Sequence, residues 1–78
     1  MYFVYIIYSK TKNMFYTGLT KNVDVRINQH SVQKRINDFE LIHCEVCCTR
    51  LEARKIEKYF KSGYGREIRN EILKIRWL

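Results

Sequence analysis

The chain reads as an α/β (α+β) domain: a small, three-stranded, mostly antiparallel sheet flanked by three helices. Three observations predict this. Two apolar runs, Tyr2 to Ser9 and Met14 to Leu19, flank the polar quartet Lys10, Thr11, Lys12 and Asn13, which is the pattern of a hairpin. A third run, Leu41 to Cys48, alternates as a half-exposed strand does. The remaining stretches carry apolar residues at helical spacing behind Asn22 and Thr49, two residues suited to capping a helix.

Each element can be justified in turn. With four residues in the hairpin loop, Ser9 faces Met14, which sets Tyr5 opposite Gly18 and Ile7 opposite Tyr16. Tyr5 and Tyr16 then share one face of the sheet. The first helix is expected from Asn22 to about Ser31, with Asp24 placed well for the helix dipole. Val32 to Glu40, which includes Lys34 and Arg35, reads as a polar connection. In the third strand, Ile42, Cys44, Val46 and Cys48 fall on one side and Leu41, His43, Glu45 and Cys47 on the other. Thr49 caps a second helix, Arg50 to about Ser62, and Glu52 completes a capping box. Gly63 is the expected stop. A last helix, about Gly65 to Arg76, shows an Ile68, Ile72, Ile75 stripe, and Tyr64, Trp77 and Leu78 are expected to close the core. The sequence has no proline, repeat or linker, so residues 1–78 are expected to form a single domain.

Composition narrows the class of protein. A chain that is 46% hydrophobic and 14% aromatic can build a core, which excludes intrinsic disorder. The formal charge is +7, and nine of the 15 basic residues lie from Arg50 onward, so a polyanion is the natural partner. Cys44, Cys47 and Cys48 are odd in number and crowded, a poor disulfide framework that suits reduced thiols in a cytoplasmic protein. Strand alternation separates Cys44 and Cys48 from His43 and Cys47, which argues against a zinc site. The apolar start has neither the flanks of a targeting segment nor the length to cross a bilayer, and no membrane role is expected.

Polar residues stand where packing alone would not put them. In the first helix, Val23, Arg26, Ile27 and His30 share a face, so an arginine and a histidine turn toward the apolar side. In the second, Glu57 lies within the stripe of Ala53, Ile56 and Phe60. A carboxylate facing inward needs a cation, either Arg26 or a metal ion. The purely structural alternative is that Arg26 reaches past the edge of the core to pair with Glu57 while His30 makes one hydrogen bond. Set beside Tyr5 and Tyr16, the same residues suit a phosphodiester: one carboxylate for Mg²⁺, a guanidinium for charge, and phenols for water and proton chemistry. Arg54, Lys58 and Lys61, on the basic surface of the second helix, are candidate phosphate contacts.

The order of Phe3-Val4-Tyr5, Tyr16-Thr17-Gly18, Arg26 and His30, and then Glu52-Ala53-Arg54-Lys55-Ile56-Glu57, resembles the GIY-YIG endonuclease superfamily over nearly the whole chain. It is most similar to small standalone proteins related to the nuclease domain of the excision-repair endonuclease. The resemblance implies a metal-dependent DNA endonuclease that hydrolyses one strand at a single Mg²⁺ or Mn²⁺, structure-selective in repair or recombination. It further implies Glu57 as the metal ligand, Arg26 as the phosphate-binding arginine and Tyr5 as base for the attacking water. Tyr16 would orient water or phosphate, His30 would support the site, and Gly18 would leave room for metal and phosphate. Phe3 and Thr17 depart from the motif at its first Gly and its middle Ile. A protein partner or a homodimer would supply specificity to so small a surface. The alternative is a non-catalytic nucleic-acid binding module on the same fold, and a purely structural domain is a third reading.

Overall fold

The computed structural model describes residues 1–34 and 38–76. The elements are β1 (Tyr2–Ser9), β2 (Met14–Thr20), α1 (Val23–Lys34), β3 (Phe39–Cys47), α2 (Arg50–Lys61) and α3 (Gly63–Arg76). Both partner strands are antiparallel to β1, which lies central in the order β2-β1-β3. Centrality explains its composition: Val4, Tyr5, Ile6, Ile7, Tyr8 and Ser9 are all buried, so an unbroken apolar run serves both faces. Among the described residues, no helix is long and apolar enough to cross a membrane.

The hairpin has the expected register, with Ser9 opposite Met14, Ile7 opposite Tyr16 and Tyr5 opposite Gly18. Asn13 closes the turn in the left-handed region at φ 51°, a conformation that asparagine tolerates. The turn is also tied to the start of β3. Asp38 accepts hydrogen bonds from Ser9 Oγ at 2.9 Å and from the Thr11 amide at 2.6 Å. These bonds, the amide of Thr11 foremost, hold the Asp38 carboxyl below its ordinary pKa of 3.8. A depressed folded-state value contributes stability above the unfolded pKa and loses it as pH falls through the folded one. The melting temperature is therefore expected to drop below about pH 4. Asp38→Asn should lower it at neutral pH and flatten the acid limb; an unchanged acid limb in calorimetry would contradict this.

β3 departs from simple alternation. Its pairing with β1 runs from Tyr2 opposite Cys47 to Ile6 opposite His43, then resumes with Ile7 opposite Leu41. Ile42 is the extra residue of a bulge, and it is buried in the core. The bulge moves Ile42 away from the side of Cys44 and Val46 and brings Phe39 and Leu41 onto that side. It is Cys47, not Cys44, that is buried, because the face bearing His43, Glu45 and Cys47 is the one α2 covers: Phe60 meets the His43 ring at 5.5 Å. The strand also begins at Phe39, inside the stretch expected to be a connection.

The main core lies between the sheet and the pair α2 and α3. Val4, Ile6, Tyr8, Ile42, Cys47, Ala53 and Phe60 form it, with Ile56, Ile68, Ile72 and Leu73 packed against them. Thr49 caps α2 as expected, its side chain accepting from the Glu52 amide at 3.2 Å. The stop differs. Ser62, not a left-handed glycine, ends α2: its N–H reaches the Tyr59 carbonyl at 3.1 Å while its Oγ accepts from the Gly65 amide at 3.3 Å. α3 can therefore begin at once, at Gly63. Gly65 is needed for the close approach of the two helices, since a Cβ there would lie 2.5 Å from the Phe60 carbonyl carbon. The α3 stripe turns inward through Leu73, while Ile75 is 70% exposed. Tyr64 is exposed too, contrary to a role in closing the core. Arg35, Trp77 and Leu78 lie outside the described residues.

Candidate active site

The second face of the sheet, under α1, holds the polar residues singled out above. α1 starts at Asn22, whose Oδ1 accepts from the Val25 amide at 3.2 Å. Its inward positions Val23, Ile27 and His30 are partly buried. Two turns from the cap, His30 reaches the sheet and places Nε2 2.8 Å from the Tyr5 hydroxyl. Three aromatic rings surround it: Tyr5 at 5.9 Å, Tyr16 at 5.8 Å and Phe39 at 6.0 Å between centroids. Tyr16 in turn meets Phe39 edge-on at 5.2 Å, and its hydroxyl lies 4.0 Å from Met14 Sδ.

Tyr5 is the centre of this arrangement. It is buried across from Gly18, and its ring occupies the space that a side chain at Gly18 would need. Arg26 Nε donates to the Tyr5 hydroxyl at 3.4 Å, while Nη1 donates to Gln29 Oε1 at 3.1 Å. A guanidinium can only donate, so the Tyr5 oxygen is the acceptor there. That leaves its proton available to His30 Nε2 when this nitrogen is unprotonated. Burial pushes the Tyr5 phenol above its ordinary pKa of 10.0; the hydrogen bond and charge of Arg26 act downward, and the charge of Glu57 acts upward. At neutral pH Tyr5 is a phenol. An ultraviolet titration should show one tyrosine ionising later than the rest, and Tyr5→Phe should remove that step; a titration unchanged by the substitution would refute the assignment.

Glu57 lies on α2 beside the buried stripe, near enough to Tyr5 for its charge to be felt there. Its side chain is 20% exposed, and Oε2 is 3.5 Å from Lys61 Nζ one turn on. The expected buried Arg26–Glu57 pair is not formed: Arg26 is exposed and bonded to Tyr5 and Gln29, while Lys61 pairs with Glu57. The reason is geometric. Arg26 is long enough to run along the surface and touch the site with Nε alone. Arg54, Lys58 and Lys61 are exposed and lie on the Glu57 side of α2 by helical spacing. Lys61 is thus at the site directly.

Whether a metal would fit can be judged from the donors present. No group of three or more His, Cys, Asp or Glu side chains converges among the described residues, so there is no all-protein cage there. Mg²⁺ does not need one: it keeps several waters and binds through one or two carboxylates plus substrate phosphates. Glu57, partly exposed and only loosely paired, is a donor of that kind. The residues fit the ion.

Phe39 and Gln29 escape the sequence reading. Phe39 sits in a stretch whose polar composition hides a strand start, and only the bulge at Ile42 turns it toward His30. Gln29 is one turn after Arg26, a spacing that allows the contact but does not demand it.

The GIY-YIG catalytic domain family matches residues 1–71. The chain belongs to the GIY-YIG family, which is a nuclease superfamily whose members act on DNA. The solution NMR structure of the UPF0213 protein BH0048 from Bacillus halodurans is similar at a TM-score of 0.59 and 28% identity, covering 92% of this chain and 85% of that one. No curated protein matches the chain.

Proposed function

We propose that this chain is a metal-dependent DNA endonuclease that hydrolyses one phosphodiester bond at a single divalent cation, selecting DNA by its structure in repair or recombination. The observation that supports this best is the Tyr5 hydroxyl held between His30 and Arg26 over the gap left by Gly18, with Glu57 close by. For packing alone, a phenylalanine at position 5 would serve with no polar partners to satisfy.

In this reading Tyr5 moves the proton. Because burial disfavours its anion, it does not wait as a tyrosinate. It accepts the proton of the attacking water as it passes its own to His30 Nε2, which is 2.8 Å away. Arg26 follows the charge: its unengaged N–H groups face solvent, where a phosphoryl oxygen can take them up. Tyr16 and Phe39 hold the imidazole in place by their rings, and Tyr16 also orients water or phosphate. Glu57 is the residue that would hold Mg²⁺ or Mn²⁺. The cation, when bound, supplies Lewis-acid stabilisation of the charge that builds on the phosphoryl oxygens. Lys61, Arg54 and Lys58 neutralise the backbone beside it.

The test is cleavage of labelled plasmid, branched and single-stranded DNA with Mg²⁺ or Mn²⁺ by the native protein and by Tyr5→Phe. A loss of roughly 10²- to 10⁴-fold is expected from removing one proton-transfer group. DNA binding without cutting in either protein would instead indicate a non-catalytic binding module.

A further inference from the structure

Beyond the residues assigned above, the structure has a second basic feature. A cavity of about 220 Å³ opens at the end of the sheet where β2 finishes and α2 begins, lined by Tyr2, Leu19, Thr20, Lys21 and Arg50. Thr20 shares the face of Gly18, two residues further along β2, while Tyr2 and Leu19 are on the face toward α2. The cavity therefore wraps the edge of the sheet next to the site. Lys21 Nζ lies 5.2 Å from the Tyr2 ring centroid, and neither Lys21 nor Arg50 has an ion-pair partner among the described residues. Two uncompensated cations, a hydroxyl-bearing residue and an aromatic wall make a site for an anion that carries apolar bulk.

Its place relative to Glu57 says which anion. Arg50 is seven residues before Glu57 on α2, two helical turns or ~10 Å away on the same stripe, with Arg54 between them. We infer that this cavity is a phosphate subsite for the nucleic-acid strand flanking the scissile position. Lys21 and Arg50 hold a backbone phosphate one or two nucleotides from the cut, and the adjoining sugar or base lies against Tyr2 and Leu19. The inference rests on the nuclease reading for its substrate, but it concerns binding and not the chemistry.

The experiment measures binding of a fluorescent DNA duplex by anisotropy over a range of salt concentrations, without divalent cation. The proteins compared are the native chain, Lys21→Gln, Arg50→Gln and the double variant, with Lys74→Gln as a remote control of equal charge change. Lost contacts with one phosphate each should shallow the log–log salt slope by about 0.7–0.9 per substitution and about twice that in the double variant. Lys74→Gln should leave it unchanged, and Lys21→Arg should restore it. Because both residues are on the surface, melting curves of the variants should overlay the native one. Equal slopes in all proteins, or an equal loss in Lys74→Gln, would overturn the subsite while leaving the nuclease reading intact. No salt-dependent DNA binding by the native chain would overturn both.

Discussion

Gly18→Ala is expected to cost both stability and cleavage, and to do so through Tyr5. A Cβ at position 18 would lie 2.5 Å from Tyr5 Cζ and 2.9 Å from Cε1, and closer still to the hydroxyl. A tyrosine hydroxyl at the end of a flexible side chain could often move aside. Here the ring is 1% exposed and its hydroxyl is fixed between His30 and Arg26, so relief requires displacing the ring or parting the strands. Overpacking of this kind costs about 1–3 kcal/mol. Alanine's better strand entropy returns about 0.5–1 kcal/mol, which does not reverse the sign. Displacement of the hydroxyl by an ångström would slow cleavage about 10²-fold. Thermal melts and cleavage rates test both parts. Adding Tyr5→Ala to Gly18→Ala should make the stability losses non-additive in a double-mutant cycle, because the clash disappears with the ring. Strict additivity would show that Gly18 acts on something else.

Glu57→Gln is expected to separate chemistry from folding most cleanly. The only ion pair of Glu57 among the described residues is with Lys61, at 3.5 Å, and Lys61 is 55% exposed. Such a solvated pair is worth about 0–1 kcal/mol, so the melting temperature should change little. Cleavage should fall by roughly 10³-fold or more, since the carboxylate is the candidate donor for the cation and an oriented charge in the site is lost. Calorimetric titration with Mg²⁺ or Mn²⁺ in the presence of uncleavable DNA gives a readout independent of turnover. Heat of binding in the native protein that persists in Glu57→Gln would remove Glu57 from the metal site, whatever the rates.

These two positions also mark how far the sequence can be read. Hairpin register follows from a four-residue loop and the apolar pattern around it, so the pairing of Tyr5 with Gly18 is legible before any coordinates. So are the caps of α1 and α2, because Asn22 and Thr49 act over three residues. The inward face of Val23, Ile27 and His30 follows from helical spacing alone. What brings Glu57 near Tyr5, by contrast, is the packing of α2 over β1 and β2, a long-range contact that no local pattern contains.

By itself, then, the sequence determined the elements, the hairpin that carries the two tyrosines, and the identity of the polar residues that α1 and α2 turn inward. Each of these is set by interactions spanning a few residues: turn length, caps and period. Tertiary structure decided who meets whom. One extra residue in β3, Ile42, reversed the faces of everything before it and set Phe39 against His30. The reach of long side chains left Arg26 on Tyr5 and gave Glu57 to Lys61. The meeting of β2's end with α2's start opened the basic cavity at Lys21 and Arg50. Bulges, rotamers and the docking of helices are settled by the whole core at once, because a small change in any of them is repaid or refused only by residues far along the chain.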